Sequence, residues 1–184
     1  MSKLETNTID TVSGTTNLTI GSTNSSTVTF ESGAVTGHNY PAFEASLSSA
    51  QSVSNDTTVK IQINSETLDT DNCYDNSTNY RFTPTKAGKY FVYAKARAQS
   101  SADNLLRDIS VMIYKNGSLE IDHVFLLRNN YQRVITPSFS GIVDMNGSSD
   151  YLELYGKITQ PSGTPTGFIG GSKHSLFGAY RIGA

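Results

Sequence analysis

The sequence lacks most of what a catalytic or disulfide-rich protein is built from. It has no tryptophan, one cysteine, five prolines and only 16% charged residues in a chain of 184. A single cysteine cannot form a disulfide within the chain, which excludes a stapled extracellular scaffold. No apolar run approaches the roughly 20 residues of a membrane-spanning helix. Since the opening Met1–Asn7 also lacks the apolar core of a signal peptide, we expect a soluble chain that is not exported by the general secretory route.

The charges are too few and too scattered to attract a strongly charged partner. Fourteen basic and 16 acidic residues give a formal net charge of -2 at pH 7. No segment concentrates lysine and arginine into the basic stripe that phosphate binding requires. We therefore predict no nucleic-acid partner.

Recognisable catalytic spacings are absent as well. The three histidines, His38, His123 and His174, are far apart and fit no zinc-binding spacing. There is no Gly-x-Ser-x-Gly elbow and no glycine loop of the kind that holds phosphate. Cys73 is not accompanied by the partner residues of a nucleophilic cysteine. The sequence thus predicts a protein that is not an enzyme and needs no cofactor.

One acidic segment is suited to binding a metal ion through oxygen. Asp69, Asp71 and Asp75 lie within seven residues, together with the amide of Asn72. Such oxygen ligands suit calcium, although the segment lacks the glycine and the terminal glutamate of an EF-hand loop. The three aspartates are therefore calcium candidates, and a solvated acidic loop is the alternative.

Strand patterns run through most of the chain. Ser, Thr and Asn are abundant and no stretch keeps a helical period, which favours strands and turns. From Gly88 to Gln99 large residues occur on both faces of an alternating pattern, so we expect a strand buried on both faces. The Asn116-Gly117 pair predicts a type I′ hairpin, because both central residues of that turn need positive φ. The polar segment 160–172, with two prolines and four glycines, predicts an exposed loop. Strands are predicted near 41–47, 57–64, 79–83, 88–99, 107–115, 119–127, 132–144, 149–159 and 173–182.

Several short motifs, in a fixed order, resemble one fold family. Phe82–Phe91 has the pattern Phe-Thr-Pro-x-x-Ala-Gly-Lys-Tyr-Phe and precedes the Asn-Gly hairpin. Pro41–Ala45 is similar to the opening strand of that family, and His174–Ile182 to its closing Phe-x-Gly strand. Together they resemble the globular head of complement 1q, in the tumour-necrosis-factor-like superfamily. The resemblance covers roughly residues 41–184 and implies an all-β, antiparallel jelly-roll sandwich that is usually trimeric.

Residues 1–40 differ from the rest of the chain. Half of them are Ser, Thr or Asn, and only one aromatic residue precedes Tyr40. Short apolar pairs between Gly-rich turns predict an extended, β-rich segment that cannot form a core alone. Its opening Met-Ser-Lys-Leu and later Leu-Thr-Ile-Gly resemble the amino-terminal segments of small virion proteins of tailed marine phages. A disordered polar tail is the alternative to an attachment segment. The predicted attachment residues are Leu18, Ile20, Val28 and Phe30.

The aromatic residues outnumber what one sandwich can hold inside. A jelly roll of this size needs about ten large core residues, whereas the chain has ten tyrosines and eight phenylalanines besides its aliphatic residues. Some rings are therefore expected between subunits, or else they cap the sandwich or lie singly at the surface. The predicted homotrimer interface consists of Tyr93, Tyr155, Phe177, Tyr180 and Tyr151.

These observations predict an attachment segment over residues 1–40 and a trimeric jelly-roll head over residues 41–184. The predicted function is that of a non-enzymatic virion protein of a tailed phage. It would be a short fibre, knob or decoration protein on the exterior of the capsid or tail. Its expected partners are further copies of itself, other virion proteins bound through residues 1–40, and a host surface receptor or glycan. The alternative is a free soluble or secreted carbohydrate-binding module of the complement 1q-like type.

Overall fold

The computed structural model describes residues 41–127 and 132–183. Regular structure in these ranges consists of β-strands, which confirms the all-β fold class. Within the same ranges no helix is long and apolar enough to cross a membrane. The predicted attachment residues, Leu18, Ile20, Val28 and Phe30, lie outside the described part of the chain.

Fourteen strands follow one another in the described residues. They are β1 (Ala42–Ser46), β2 (Val59–Lys60), β3 (Ser65–Asp69), β4 (Tyr74–Asp75), β5 (Arg81–Phe82), β6 (Gly88–Lys95), β7 (Ala98–Gln99), β8 (Asp108–Lys115), β9 (Ser118–Leu126), β10 (Val134–Ile135), β11 (Ser138–Met145), β12 (Leu152–Thr159), β13 (Gly167–Phe168) and β14 (Leu176–Gly183).

Two antiparallel sheets form the sandwich. The first sheet has the strand order β11-β6-β14-β1-β3, and the second has the order β4-β5-β12-β8-β9, with β2 beside β12. A small third sheet has the order β10-β7-β13. At one side of the sandwich β11 lies next to β9, because a Cβ atom added to Gly141 would come within 2.7 Å of Ile121 Cδ1. The edge strands β3 and β4 line a common cavity at the other side.

The alternation of β6 separates a core face from an outward face. Tyr90, Val92 and Ala94 are buried between the sheets, whereas Phe91 and Tyr93 point outward and are half-buried. The prediction that this strand is buried on both faces is therefore wrong for the subunit by itself. The outward rings need another partner if they are to leave water completely.

Four aromatic rings fix the two sheets against each other. Phe43 of the first sheet stacks on Tyr74 and Phe82 of the second, with ring centroids 4.4 Å and 4.5 Å apart. The edge of Phe177 meets the same ring at 4.9 Å. Phe177 is 0% exposed, so its assignment to the trimer interface is wrong. Its surface is already used in the core of its own subunit.

The predicted type I′ hairpin at Asn116-Gly117 is confirmed and joins β8 to β9. Asn116 and Gly117 have φ values of 53° and 78°, as a type I′ turn requires. The Asn116 side chain extends the turn, since its Oδ1 accepts a hydrogen bond from the Tyr151 backbone N–H at 3.0 Å. Its Nδ2 donates to Asp150 at 2.8 Å. One residue therefore connects the hairpin to the start of β12.

Three of the strands, β3, β4 and β13, were not predicted. β3 is polar and largely exposed, so it has none of the apolar alternation by which a strand is recognised. β13 lies in the segment 160–172, which was predicted to be an exposed loop. The prediction is wrong for Phe168, which is 0% exposed. The sequence does not reveal this strand, because a single aromatic residue among glycines and prolines has the pattern of a loop.

Candidate functional site

A continuous apolar row crosses the outward face of the first sheet. Strand register aligns Ile142 with Phe91, Phe91 with Tyr180, and Tyr180 with Ala42. Ile142 is 59% exposed and Tyr180 is 45% exposed. The Phe91 and Tyr180 rings lie 5.4 Å apart and support each other. We call these four residues the apolar row; a monomer would leave them in contact with water.

Tyr93 lies two residues after Phe91 on the same face of β6, and it contacts the ion pair of Glu44 with Lys173. Its ring covers Gly178, where an added Cβ would come within 2.3 Å of the ring. The Tyr93 hydroxyl donates to Glu44 Oε2 at 3.0 Å. Lys173 also donates to Glu44, and this contact is the main cause of the lowered pKa of Glu44. Burial and the hydrogen bond to Glu44 raise the pKa of Tyr93, so the hydroxyl stays a neutral donor.

A shallow groove continues the outward face below Tyr93. Its volume is about 450 Å³, and Tyr93 and Leu176 are among the residues that line it. Leu68 and Ile182, each 48% exposed, extend the apolar surface toward the other end of the sheet. The face therefore presents aromatic rings, aliphatic side chains and the partly exposed ion pair of Lys173 with Glu44.

A second apolar surface lies on β9, at the edge of the second sheet. Val124, Phe125 and Leu126 are 46%, 42% and 51% exposed, and Leu119 is 53% exposed near the start of the strand. β9 is the last strand in its sheet, so one side of its backbone has no strand partner among the described residues. An exposed apolar edge of this kind is suited to contact with another chain.

Tyr155 and Tyr151 lie on the outward face of the second sheet. Tyr155 packs on Tyr114 with centroids 4.3 Å apart, and Tyr151 carries the guanidinium of Arg81 at 4.6 Å from its ring. Of the predicted interface residues, the fold thus brings together Tyr93 and Tyr180. It places Tyr155 and Tyr151 on a different face.

The aspartates of the calcium prediction are engaged in local turns. Asp69 accepts the backbone N–H groups of Cys73 and Tyr74, each at 3.0 Å. Asp75 accepts three successive backbone N–H groups, of which that of Thr78 contributes most to holding its pKa well below the usual range. Asp71 has one buried oxygen without a hydrogen-bond partner in the structure. No group of three or more His, Cys, Asp or Glu side chains forms a metal site in the described ranges. The three aspartates are thus not assembled as ligands.

An open polar pocket lies beside these turns, between β3 and the β4–β5 pair. Its volume is about 550 Å³. Sequence reasoning missed it, because Glu66 and Arg81 belong to different sheets and no local spacing connects them. The lining residues are Glu66, Asn72, Cys73, Tyr74, Asp75, Asn76, Ser77, Arg81 and Thr83.

Comparison with known proteins places this architecture among jelly rolls. No protein-family model and no curated protein matches the sequence. The globular domain of zebrafish complement 1qA protein is similar in structure, with a TM-score of 0.54 and 13% identity over 77% of this chain and 97% of that one. Murine APRIL, determined at pH 5.0, has a TM-score of 0.57 and 6% identity over 78% of this chain and 100% of that one. At these identities the likeness shows the fold, a complement 1q and tumour-necrosis-factor-like jelly roll.

Proposed function

From the complement 1q-like jelly roll of this chain, we propose that it is a non-enzymatic, homotrimeric virion protein of a tailed phage. Residues 41–184 form the head of a short fibre, knob or decoration protein on the exterior of the capsid or tail. Residues 1–40 attach the head to other virion proteins. The observation that carries the trimer is the apolar row, which crosses four strands of the first sheet and leaves Ile142 and Tyr180 59% and 45% exposed.

The occupant of this face is a second copy of the chain. One subunit carries two apolar surfaces in different places, the outward face of the first sheet and the exposed side of β9. Contact between the face of one copy and the edge of the next is head-to-tail, and such contacts close into a ring when the rotation permits it. Folds of this type are typically homotrimeric. Three copies would then cover all six surfaces.

A permanent assembly would have to use both apolar surfaces. Stable obligate interfaces bury more than about 2,000 Å² in total and resemble a divided core. The four residues of the apolar row are too few to supply such an area. The groove near Tyr93 and the β9 edge must therefore take part in the interface. Charged residues such as Glu44 and Lys173 lie beside the row. They are suited to fixing the register of the subunits rather than to supplying affinity.

The virion role is supported by the sequence of residues 1–40. Their opening resembles small virion proteins, and their apolar pairs have too little surface to fold as one copy. A trimeric head would hold three such segments close together and so raise their effective concentration. This combination is expected of an attachment segment.

Quantification of the chain in purified phage particles tests the proposal. We expect a multiple of three copies at each attachment site, found by mass spectrometry of particles and by labelling in electron micrographs. Absence from particles that contain all other structural proteins would overturn the virion assignment. The chain would then be a free recognition module.

One observation favours that second function, a soluble or secreted carbohydrate-binding module. The polar pocket between β3 and the β4–β5 pair is open and has a volume in the range of small-ligand sites. A module of this kind would bind through the same pocket without any particle. Both functions therefore share one recognition site.

A further inference from the structure

The polar pocket contains several side chains with unused hydrogen-bonding capacity. In the described part of the chain, the side chains of Glu66, Asn72 and Asn76 have no hydrogen-bond partner, and neither has the guanidinium of Arg81. Asp75, by contrast, uses both of its oxygens on the turn that follows it. Side chains that project into an open pocket without partners are available to a ligand.

Arg81 is held in place although it forms no ion pair within the described residues. Its guanidinium lies over the Tyr151 ring at 4.6 Å, which limits the freedom of the side chain. A planar donor fixed on an aromatic face loses less entropy when it binds a ligand oxygen. The opposite wall supplies the Glu66 carboxylate, which can only accept hydrogen bonds when ionised.

The charges of the lining restrict the kind of ligand. An anion would be attracted by Arg81 but repelled by Glu66 and Asp75. A cation would be attracted by the two carboxylates but repelled by Arg81. A flat apolar molecule would leave the amides of Asn72 and Asn76 without partners. A hydroxyl group is at once a donor and an acceptor, so a row of hydroxyls satisfies carboxylate, amide and guanidinium together.

We infer that the pocket between β3 and the β4–β5 pair binds a neutral saccharide. Glu66 accepts from one sugar hydroxyl, Arg81 donates to another, and Asn72 and Asn76 do both. The pocket opens at the side of the sandwich away from β9 and contains no member of the apolar row. The inference rests on the proposed role of the head in contacting a host surface, and it specifies the chemistry of that contact.

An array of immobilised neutral and acidic oligosaccharides, probed with the full chain, tests the inference. We expect retention on neutral glycans that the same free sugar competes away. Glu66→Gln and Arg81→Met should each weaken the measured Kd by at least about tenfold, because each removes a charge-assisted hydrogen bond. Arg81→Met keeps an unbranched stem over Tyr151 and so preserves the packing. Asp103→Asn, at an exposed aspartate outside the pocket lining and outside both apolar surfaces, is the matched control and should leave the Kd unchanged.

Three results would overturn the inference. They are retention of no neutral glycan, retention of acidic glycans alone, and equal retention of the wild type and both pocket variants with unchanged melting temperatures. The oligomeric state, measured on the same samples by light scattering, separates this inference from the proposed function. A trimer that binds no glycan would remove the pocket assignment alone, and a glycan-binding monomer would remove the trimer alone.

Discussion

Asp75 organises the turn between β4 and β5 almost by itself. Its oxygens accept the backbone N–H groups of Ser77, Thr78 and Asn79 at 3.1, 2.9 and 3.0 Å, and the Asn79 side chain adds a fourth contact at 2.7 Å. These hydrogen bonds favour the ionised carboxylate, and that of Thr78 is the largest cause of the lowered pKa of Asp75. This turn leads into β5, which carries Arg81, and its residues line the polar pocket.

Replacement of Asp75 by alanine should lower the free energy of unfolding by about 1–2 kcal/mol at pH 7, the range for a solvent-accessible side chain that caps backbone donors. Because the folded-state pKa is lowered, the contribution of Asp75 is complete above the unfolded pKa of about 4 and is lost as the pH falls through the folded value. Urea unfolding of both proteins from pH 7 to pH 3 measures the difference, which should shrink below about pH 4.

Asp103→Ala provides the control for that experiment. Asp103 is exposed, and its ion pair with Arg133 spans 3.5 Å. An exposed pair of this kind contributes little to stability. A loss for Asp75→Ala no larger than that for Asp103→Ala would show that the turn forms without the carboxylate.

Strands β1, β6, β11 and β14 of the first sheet each have one face in the core and one outward face that we assign to the subunit interface. On β14, Phe177 points into the core and Tyr180 points outward, because side chains alternate along a strand. Tyr180 is 45% exposed, so a polar residue there can be solvated in a single subunit. In the proposed trimer the same position is covered, and a carboxylate buried without a partner costs several kcal/mol.

Tyr180→Asp should therefore dissociate the trimer into folded subunits. Sedimentation velocity or light scattering at micromolar concentration gives the mass, and circular dichroism reports the fold. Tyr151→Asp is the matched control, because Tyr151 lies on the second sheet beside Arg81 and its replacement should leave the trimer intact. A monomeric wild-type chain, or a Tyr180→Asp protein that remains trimeric, would contradict the proposed use of the apolar row.

At the scale of the whole molecule, head and attachment segment are expected to be separable. Nearly all aromatic residues lie after position 39. Within the described residues, strands of both sheets contribute side chains to one core, which includes a cluster of aromatic rings. Ordering residues 1–40 costs roughly 1–2 kcal/mol per residue. A polar segment recovers about 25 cal/mol for each apolar Å² buried. We therefore expect its docking to depend on the high local concentration that the proposed trimeric head would provide.

Deletion of residues 1–39 should leave a folded, trimeric head that no longer joins phage particles. Incorporation is measured by quantitative mass spectrometry of particles assembled with the truncated chain, and the trimer by light scattering. The full-length Tyr151→Asp chain serves as a substituted but attachment-competent control. Full occupancy by the truncated protein would place attachment in the jelly roll and assign residues 1–40 another task.

The local sequence determined the elements that depend on near neighbours. Alternation from Gly88 onward fixes which side chains of β6 face the core, and Asn116-Gly117 fixes a hairpin through its positive φ angles. The same alternation puts Phe177 and Tyr180 on opposite faces of β14, so the wrong assignment of Phe177 could have been avoided from the sequence. The all-β fold also followed from these local patterns, since strand period and turn chemistry act over a few residues.

Only the tertiary structure decided which outward residues become neighbours. The apolar row exists because β11, β6, β14 and β1 pair in that order, and the pairing joins residues that are far apart in the chain. The pocket exists because β3, which carries Glu66, and the β4–β5 pair, which carries Arg81, belong to different sheets but lie at the same side of the sandwich. A sequence specifies the face on which a side chain lies through local geometry. Its neighbours on that face depend on long-range strand pairing, which the burial of the whole core selects.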